Sequence, residues 1–276
     1  MATFKVNDDL NWTVSKRTLC YMTTDGLQSW TEKQAVVRDD NDVALGVVSP
    51  GYEIVQNADL KQVVAPMVSE GLLTVTNQGY LNKGAKVFIQ AEVAQDFQVA
   101  GESYKGLITL LNGHTGNASV AIGTTATRVI CSNTFAMAYK DIGEKFRHTE
   151  GVTDRVLDSR TVIDYVNEAM RKYAEFVEKL DTTPCSPLQL ARAVETIYQQ
   201  PVDKMRDSFV SQLNNLFYNG KGNSGKTMYD AFNAITEYAT HYSRKNASGR
   251  FNYANFGKGA DINRRALAVL NEMATV

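Results

Sequence analysis

Asp158-Ser-Arg-Thr-Val-Ile-Asp-Tyr-Val-Asn-Glu-Ala-Met-Arg-Lys-Tyr-Ala-Glu-Phe-Val-Glu-Lys-Leu180 decides the fold class. Its apolar residues Val162, Tyr165, Val166, Met170, Tyr173, Phe176, Val177 and Leu180 recur three or four positions apart, which gathers them on one stripe of an α-helix. Upstream the period is that of a strand. In Lys86-Val-Phe-Ile-Gln-Ala-Glu-Val93, Val87, Ile89, Ala91 and Val93 share one face, and Phe88 breaks the polarity of the other. A chain that changes period once, near its middle, is an α+β protein. The expected architecture is a β-rich N-terminal half over residues 1–150, an antiparallel meander with one or two helices, followed by an all-helical half over residues 151–276. No Pro/Ser linker marks the join at residues 143–153, so one cooperative domain and two domains are both open.

The other elements are read outward from these two stretches. Segments 43–48, 52–55, 72–76, 104–111, 119–123 and 127–131 are short and β-branched, with Ser49-Pro50-Gly51, Asn77-Gln78-Gly79 and Asn112-Gly113 as punctuation, which predicts strands and turns. Leu60, Val63, Val64, Met67 and Val68 predict a helix over 57–70, and a short helix is expected after Asn133. Ser186-Pro187 supplies an N-cap and a first-turn proline for a helix reaching Tyr198. Further helices are predicted from Val202 to Phe217, over 228–242 and over 261–273.

Composition narrows the function classes. The chain has 276 residues, 43% of them hydrophobic, with 29 Lys+Arg against 30 Asp+Glu, so it carries a globular core and no uniformly basic nucleic-acid coat. Cys20, Cys131 and Cys185 are odd in number and form no CxxC pair, which argues for reduced thiols in a cytosol. The first residues carry Asp8 and Asp9 without an apolar run, and no stretch approaches the ~18 apolar residues of a membrane span. A cytoplasmic protein without membrane contact is expected.

Gly220-Lys-Gly-Asn-Ser-Gly225-Lys226-Thr227 satisfies the GxxxxGK[ST] pattern that cradles phosphates. That chemistry needs a buried strand leading in. Here Phe209-Val-Ser-Gln-Leu-Asn-Asn-Leu-Phe217 leads in at helical spacing, and too few residues follow Thr227 for a parallel sheet. A loop between helices is the better reading. His114, His148 and His241 are scattered without HxxxH or HExxH spacing, and no GxSxG is present. No catalytic set, metal site or cofactor is expected. Asn112-Gly-His114-Thr-Gly116 reads first as a β-turn, with presentation of backbone amides to a phosphate as the other possibility.

Positive charge is local. From His241 onward Arg244, Lys245, Arg250, Lys258, Arg264 and Arg265 face only Asp261 and Glu272, and Phe251, Tyr253 and Phe256 interleave with Arg250 and Lys258. Cations track phosphates and aromatic rings stack bases, so this mixture suits single-stranded nucleic acid; its other reading is a solvated loop pinned by its aromatics. Lys140, Lys145, Arg147, His148 and Arg155 form a second cluster at the join.

Several segments taken together resemble a known family. Leu45-Gly46 with Tyr52-Glu-Ile-Val-Gln-Asn57, Leu111-Asn-Gly-His-Thr-Gly116, Thr127-Arg-Val-Ile-Cys-Ser-Asn133-Thr134, Phe146-Arg-His-Thr149, Gly222-Asn-Ser-Gly225-Lys-Thr227 and Tyr229-Asp-Ala-Phe-Asn-Ala234-Ile-Thr-Glu237-Tyr238, then His241, occur in that order. The chain is similar over residues 35–245 to the phage/plasmid-like proteins of domain-of-unknown-function family 932. The aromatic-basic tail lies outside those motifs. The resemblance implies a setting in prophages, phages and plasmids and no agreed activity; it makes the 220–227 loop a family turn before a helix. A β-meander ahead of helices is also loosely similar to the ATP-independent single-strand-annealing recombinases of phages, which is analogy at the level of fold.

The expected function is therefore a phage-type, ATP-independent DNA-binding protein, non-enzymatic and homo-oligomeric, that binds or anneals single strands during recombination or replication in the host-cell cytoplasm. Arg128, Lys140, Lys145, Arg147 and His148 are the candidate backbone contacts, and Arg250, Phe251, Tyr253 and Lys258 a second surface. Asn112 and Asn133 are read as turn and cap residues. The alternative is a phage-encoded factor that binds a host or phage protein, as a defence inhibitor or assembly protein, with no nucleic-acid role.

Overall fold

The computed structural model describes residues 4–6, 8–128, 133–136, 143–157, 162–244, 249–250, 253–254 and 257–275. Two units divide the chain. Met1–Ala94, Ile108–Gly123 and Gly143–Ile163 make the first; Gln95–Leu107, Thr124–Ile142 and Asp164–Val276 make the second. The architecture is α+β, with antiparallel sheet in the N-terminal half and helices in the C-terminal half.

In the first unit β2 (Val14–Met22), β3 (Gln28–Arg38) and β4 (Ala44–Val48) form a three-stranded antiparallel sheet. The β2–β3 hairpin is absent from the sequence reading. Outside Val14 and the run Ala35–Arg38 its residues are exposed or half-exposed, so no hydrophobic alternation announces it. A second sheet takes β1 (Phe4–Val6), β5 (Leu73–Leu81), β6 (Lys86–Val99), β7 (Glu102–Gly113), β8 (Val120–Arg128) and β10 (Gly143–Phe146) in the order β1-β5-β6-β7-β8-β10, and β9 (Asn133–Ala136) also pairs with β8. The first half of β8 pairs with β10 in the first unit, and its second half with β9 in the second. Val87, Phe88, Ile89, Gln90 and Ala91 are all buried, so β6 is covered on both faces; this is why Phe88 interrupts the alternation. Helix α1 (Asn57–Ser69) buries Leu60, Val63 and Val64, as its periodicity predicts. A short α2 (Val152–Leu157) closes the unit's described helices.

Two expectations are corrected. Residues 52–55 form no strand. Their backbone groups pair with scattered partners: Lys16 Nζ donates to the Tyr52 carbonyl, Glu53 N–H to the His148 carbonyl and Asn112 Nδ2 to the Val55 carbonyl. The segment after Asn133 is a strand and not a short helix, because β9 finds a ready partner in residues 125–128 of β8. Of the strand expected over 127–131, the part beyond Arg128 lies outside the described residues.

The second unit holds α3 (Val162–Thr182), α4 (Pro187–Tyr198), α5 (Asp207–Asn219), α6 (Met228–Glu237) and α7 (Lys258–Met273). Ser186 caps α4, accepting from Gln189 N–H, with Pro187 in the first turn. Every residue of α6 is buried, Asp230, Asn233, Thr236 and Glu237 included, and it packs against α5, α7 and β9 at the centre of the unit. Aromatic edges lock this core, Tyr104 against Tyr173 and Phe176 against Phe232, each pair 5.3 Å between centroids. After Glu237 the helix widens into a π-turn, Tyr238–Tyr242. Among the described residues no helix is long and apolar enough to cross a membrane.

Candidate functional site

Four of the segments that carry the family resemblance, 45–46, 52–57, 111–116 and 146–149, meet in the first unit, whereas 127–134 falls in the second. Gly46 sits so close to the 111–116 turn that a Cβ would stand 2.5 Å from Thr115 Cα, which restricts this position to glycine. Tyr52 Oη donates to the Gly113 carbonyl at 2.8 Å, and Asn112 Nδ2 to the Val55 carbonyl at 2.7 Å. Asn57 Nδ2 donates to the Trp12 carbonyl, which turns Asn57 Oδ1 toward His114 as an acceptor. His114 Nε2–H therefore donates to it, at 3.2 Å, and Nδ1 is the unprotonated nitrogen. The His114 ring stands edge-on to Trp12, and the Arg38 guanidinium lies 4.0 Å over the same indole while pairing with Asp40. Burial, reinforced by coupling to His148 and by the Arg38 charge, pushes His114 down to about 3. It is a neutral core histidine.

The Phe146-Arg-His-Thr149 segment joins from the other side. His148 stacks on Tyr52 at 4.5 Å with the rings 18° apart, and its Nδ1–H donates to the Glu53 carbonyl at 2.8 Å. Burial pushes His148 below its ordinary value, with the Glu53 bond opposing. The Glu53 carboxylate accepts from Gly151 N–H, and Arg155 binds the carbonyls of Arg147 and Glu150, so the loop after β10 is strapped down. Beside it opens a pocket of 340 Å³ lined by Ser49, Gly51, Tyr52, residues 116–119, Arg147, His148 and Thr149. Arg147 is the one charged residue of that lining, and no carboxylate shares it. Hydroxyls, turn backbone and a guanidinium around a polar hollow suit an anion such as a phosphate.

The sequence-derived contacts divide between the units. Lys145 and Arg147 are exposed in the first unit; Lys145 lies on β10 opposite Ala121 of β8. His148, beside them in sequence, is buried and belongs to the Tyr52 stack. In the second unit Arg128 ends β8, Arg250 donates to the Arg244 carbonyl, Tyr253 lies half-buried beneath the Arg244 guanidinium, and Lys258 opens α7. Lys140 and Phe251 lie outside the described residues. Asn112 is the buried turn residue its motif suggested, and Asn133 pairs with Arg128 in the β8–β9 ladder.

The 220–227 loop joins α5 to α6, and the amides of Ser224, Lys226 and Thr227 are already engaged. Asp230 takes N–H bonds from Ser224 on one oxygen and from Lys226 and Thr227 on the other, together with the Ser224 hydroxyl. Gly225, at φ +69° and with Tyr218 where a side chain would go, sets the turn. Burial pushes the Asp230 carboxyl up, and these donors more than reverse it, holding it below the ordinary carboxylate value. The loop is an anion nest that encloses the chain's own carboxylate. Asp230→Asn is expected to lower stability by about 2–4 kcal/mol in urea denaturation, since several bonds to a charge are lost, whereas Lys226→Ala at an exposed side chain shifts it within about 0.5 kcal/mol. A loop built for a bound phosphate gives the opposite pattern, with Asp230 dispensable to the fold.

Among the described residues no three His, Cys, Asp or Glu side chains gather as around a metal ion. Against known proteins, the family model described as domain of unknown function (DUF932) matches residues 44–267. The match passes the motifs that end near residue 245 and takes in the aromatic-basic stretch 248–259. No curated protein and no solved structure matches the chain.

Proposed function

The chain belongs to the domain of unknown function family DUF932, and from that premise we propose that it is an ATP-independent, non-enzymatic DNA-binding protein that holds single strands by their backbone. The observation that carries the reading is the pocket beside Arg147, more polar than apolar and free of carboxylates, with Lys145 exposed two residues away on the same segment. Contacts of this kind grip phosphates and leave bases available for pairing. Independence from ATP is supported by the 220–227 nest, whose Ser224, Lys226 and Thr227 amides are committed to Asp230. The reading includes a place among mobile genetic elements, in recombination or replication, as a homo-oligomer in the host-cell cytoplasm.

The test is fluorescence anisotropy with a labelled strand of ~60 nucleotides, its duplex and its complement at about 50 and 200 mM salt. Tight binding that prefers the single strand, weakens with salt and speeds pairing without ATP is the expected result. No binding at low salt overturns the reading.

A second reading has its own observation. Tyr21, Met22, Leu27 and Trp30 at the end of the β2–β3 hairpin are each more than half exposed. A cluster of large apolar side chains in water is a feature of interaction surfaces. It favours a factor that docks a host or phage protein through the hairpin and ignores DNA even at low salt.

A further inference from the structure

The second unit has a pocket of its own where α4 ends and α5 begins. It measures 270 Å³, close to the lower limit of ligand pockets, about 300 Å³, so its ligand is small. Its aromatic side is built from three elements. Tyr198, the last residue of α4, meets Phe209 in the first turn of α5 edge to face at 4.9 Å; Phe209 meets Tyr238 the same way at 4.8 Å. Tyr238 is where α6 widens into its π-turn, a departure from regular helix frequent at functional sites. These three rings are half-buried.

The charged side is uniform in sign. Lys204, Arg206 and Arg244 line the pocket and are exposed, and no carboxylate lines it. Arg244 lies 4.3 Å over the Tyr253 ring, which holds its guanidinium at the pocket. One polar atom of the lining side chains is unsatisfied. The Tyr198 hydroxyl is buried and has no hydrogen-bond partner among the described residues, a state a native protein rarely leaves without reason.

Each feature restricts the ligand. Half-buried ring faces and edges accept a planar group, and three cations call for an anion. A nucleotide meets both conditions. We propose that this pocket takes one nucleotide unit, its base against the Tyr198, Phe209 and Tyr238 rings and its phosphate at Arg206 and Arg244. The strand as source of that unit rests on the single-strand reading above; a free nucleotide offers the same chemistry.

The test uses the full chain with a labelled oligothymidylate of about 12 nucleotides, with dTMP, thymidine, inorganic phosphate and an acidic phenylalanine-containing peptide as competitors. Phe209→Leu and the exposed Arg244→Gln are each expected to weaken strand binding about 5–100-fold, as loss of one stacked base does, with Phe209→Tyr restoring it. Displacement by dTMP is expected at far lower concentration than by thymidine or phosphate. If both variants bind the strand like wild type while Lys145→Glu with Arg147→Glu weakens binding roughly 10–100-fold, the pocket assignment falls and the single-strand reading stands. If the wild type binds no strand yet binds dTMP, and Arg244→Gln loses it, the pocket stands with a free nucleotide as ligand and the single-strand reading falls. Binding of neither, or displacement by the peptide as readily as by dTMP, overturns the proposal.

Discussion

Reversing both charges at Lys145 and Arg147 to glutamate lowers single-strand affinity roughly 10–100-fold at about 50 mM salt, the largest binding effect expected of any pair in the first unit. The argument is electrostatic. Each phosphate contact releases counterions, so losing two flattens the slope of log K against log salt by about 1.4 for a single strand. Glutamates at the same positions add repulsion, which is strongest at low salt. Both side chains are exposed, Arg147 at the pocket and Lys145 on β10, so the fold absorbs the change within about 0.5 kcal/mol. A charge-preserving pair, Lys145→Arg with Arg147→Lys, keeps the slope. Anisotropy titrations over a salt series measure all of this, and an unchanged affinity in the doubly reversed variant removes the Arg147 pocket from the account.

The residues legible in the sequence were those whose local pattern and tertiary role agree. Ser186-Pro187 caps α4 because capping is a property of four consecutive residues. The stripe from Met170 to Leu180 faces the core because a helix has no other way to bury it. The β2–β3 hairpin escaped because its sides are largely wet, and residues 52–55 misled because β-branched composition cannot say whether a backbone finds a ladder. The site shows the same division. Asn112 and the 111–116 turn were readable, since turn chemistry is local. The roles of Asn57 and Trp12 around His114 depend on contacts more than forty residues away in sequence and leave no local mark. The pocket of Tyr198, Phe209 and Tyr238 unites three helix ends, each of which alone reads as core aromatic. Charge counting reached Arg244 but could not place Lys204 or Arg206 beside it.

Acidification is expected to weaken the fold before most of its carboxylates titrate. His114 is held at about 3 against an ordinary 6.5, so in the folded state it stays neutral where the unfolded chain takes up a proton. Between those two values the unfolded state binds more protons, and stability must fall as pH falls. The contribution is intact above about pH 6.5 and declines by up to 1.4 kcal/mol per pH unit below it, or about 3 kcal/mol by pH 4.5. His148 is shifted in the same direction, again first by burial, and steepens the decline. Asp230 adds its loss only lower, as pH drops below the ordinary carboxylate value toward its depressed one, so the window down to about pH 4.5 belongs to the histidines. Urea denaturation at intervals from about pH 7.5 to 4.5 measures this, with His114→Gln less stable at neutral pH but flatter across the window. The same titration bears on DNA. A surface histidine contacting phosphate tightens binding as pH falls through 6.5, whereas burial of His148 against Tyr52 opposes its charging there. Affinity that is level from about pH 8 to 6, in a protein whose stability drops on further acidification, is the combined signature of a core histidine, His114, and of His148 held below its ordinary value by burial in the pocket wall.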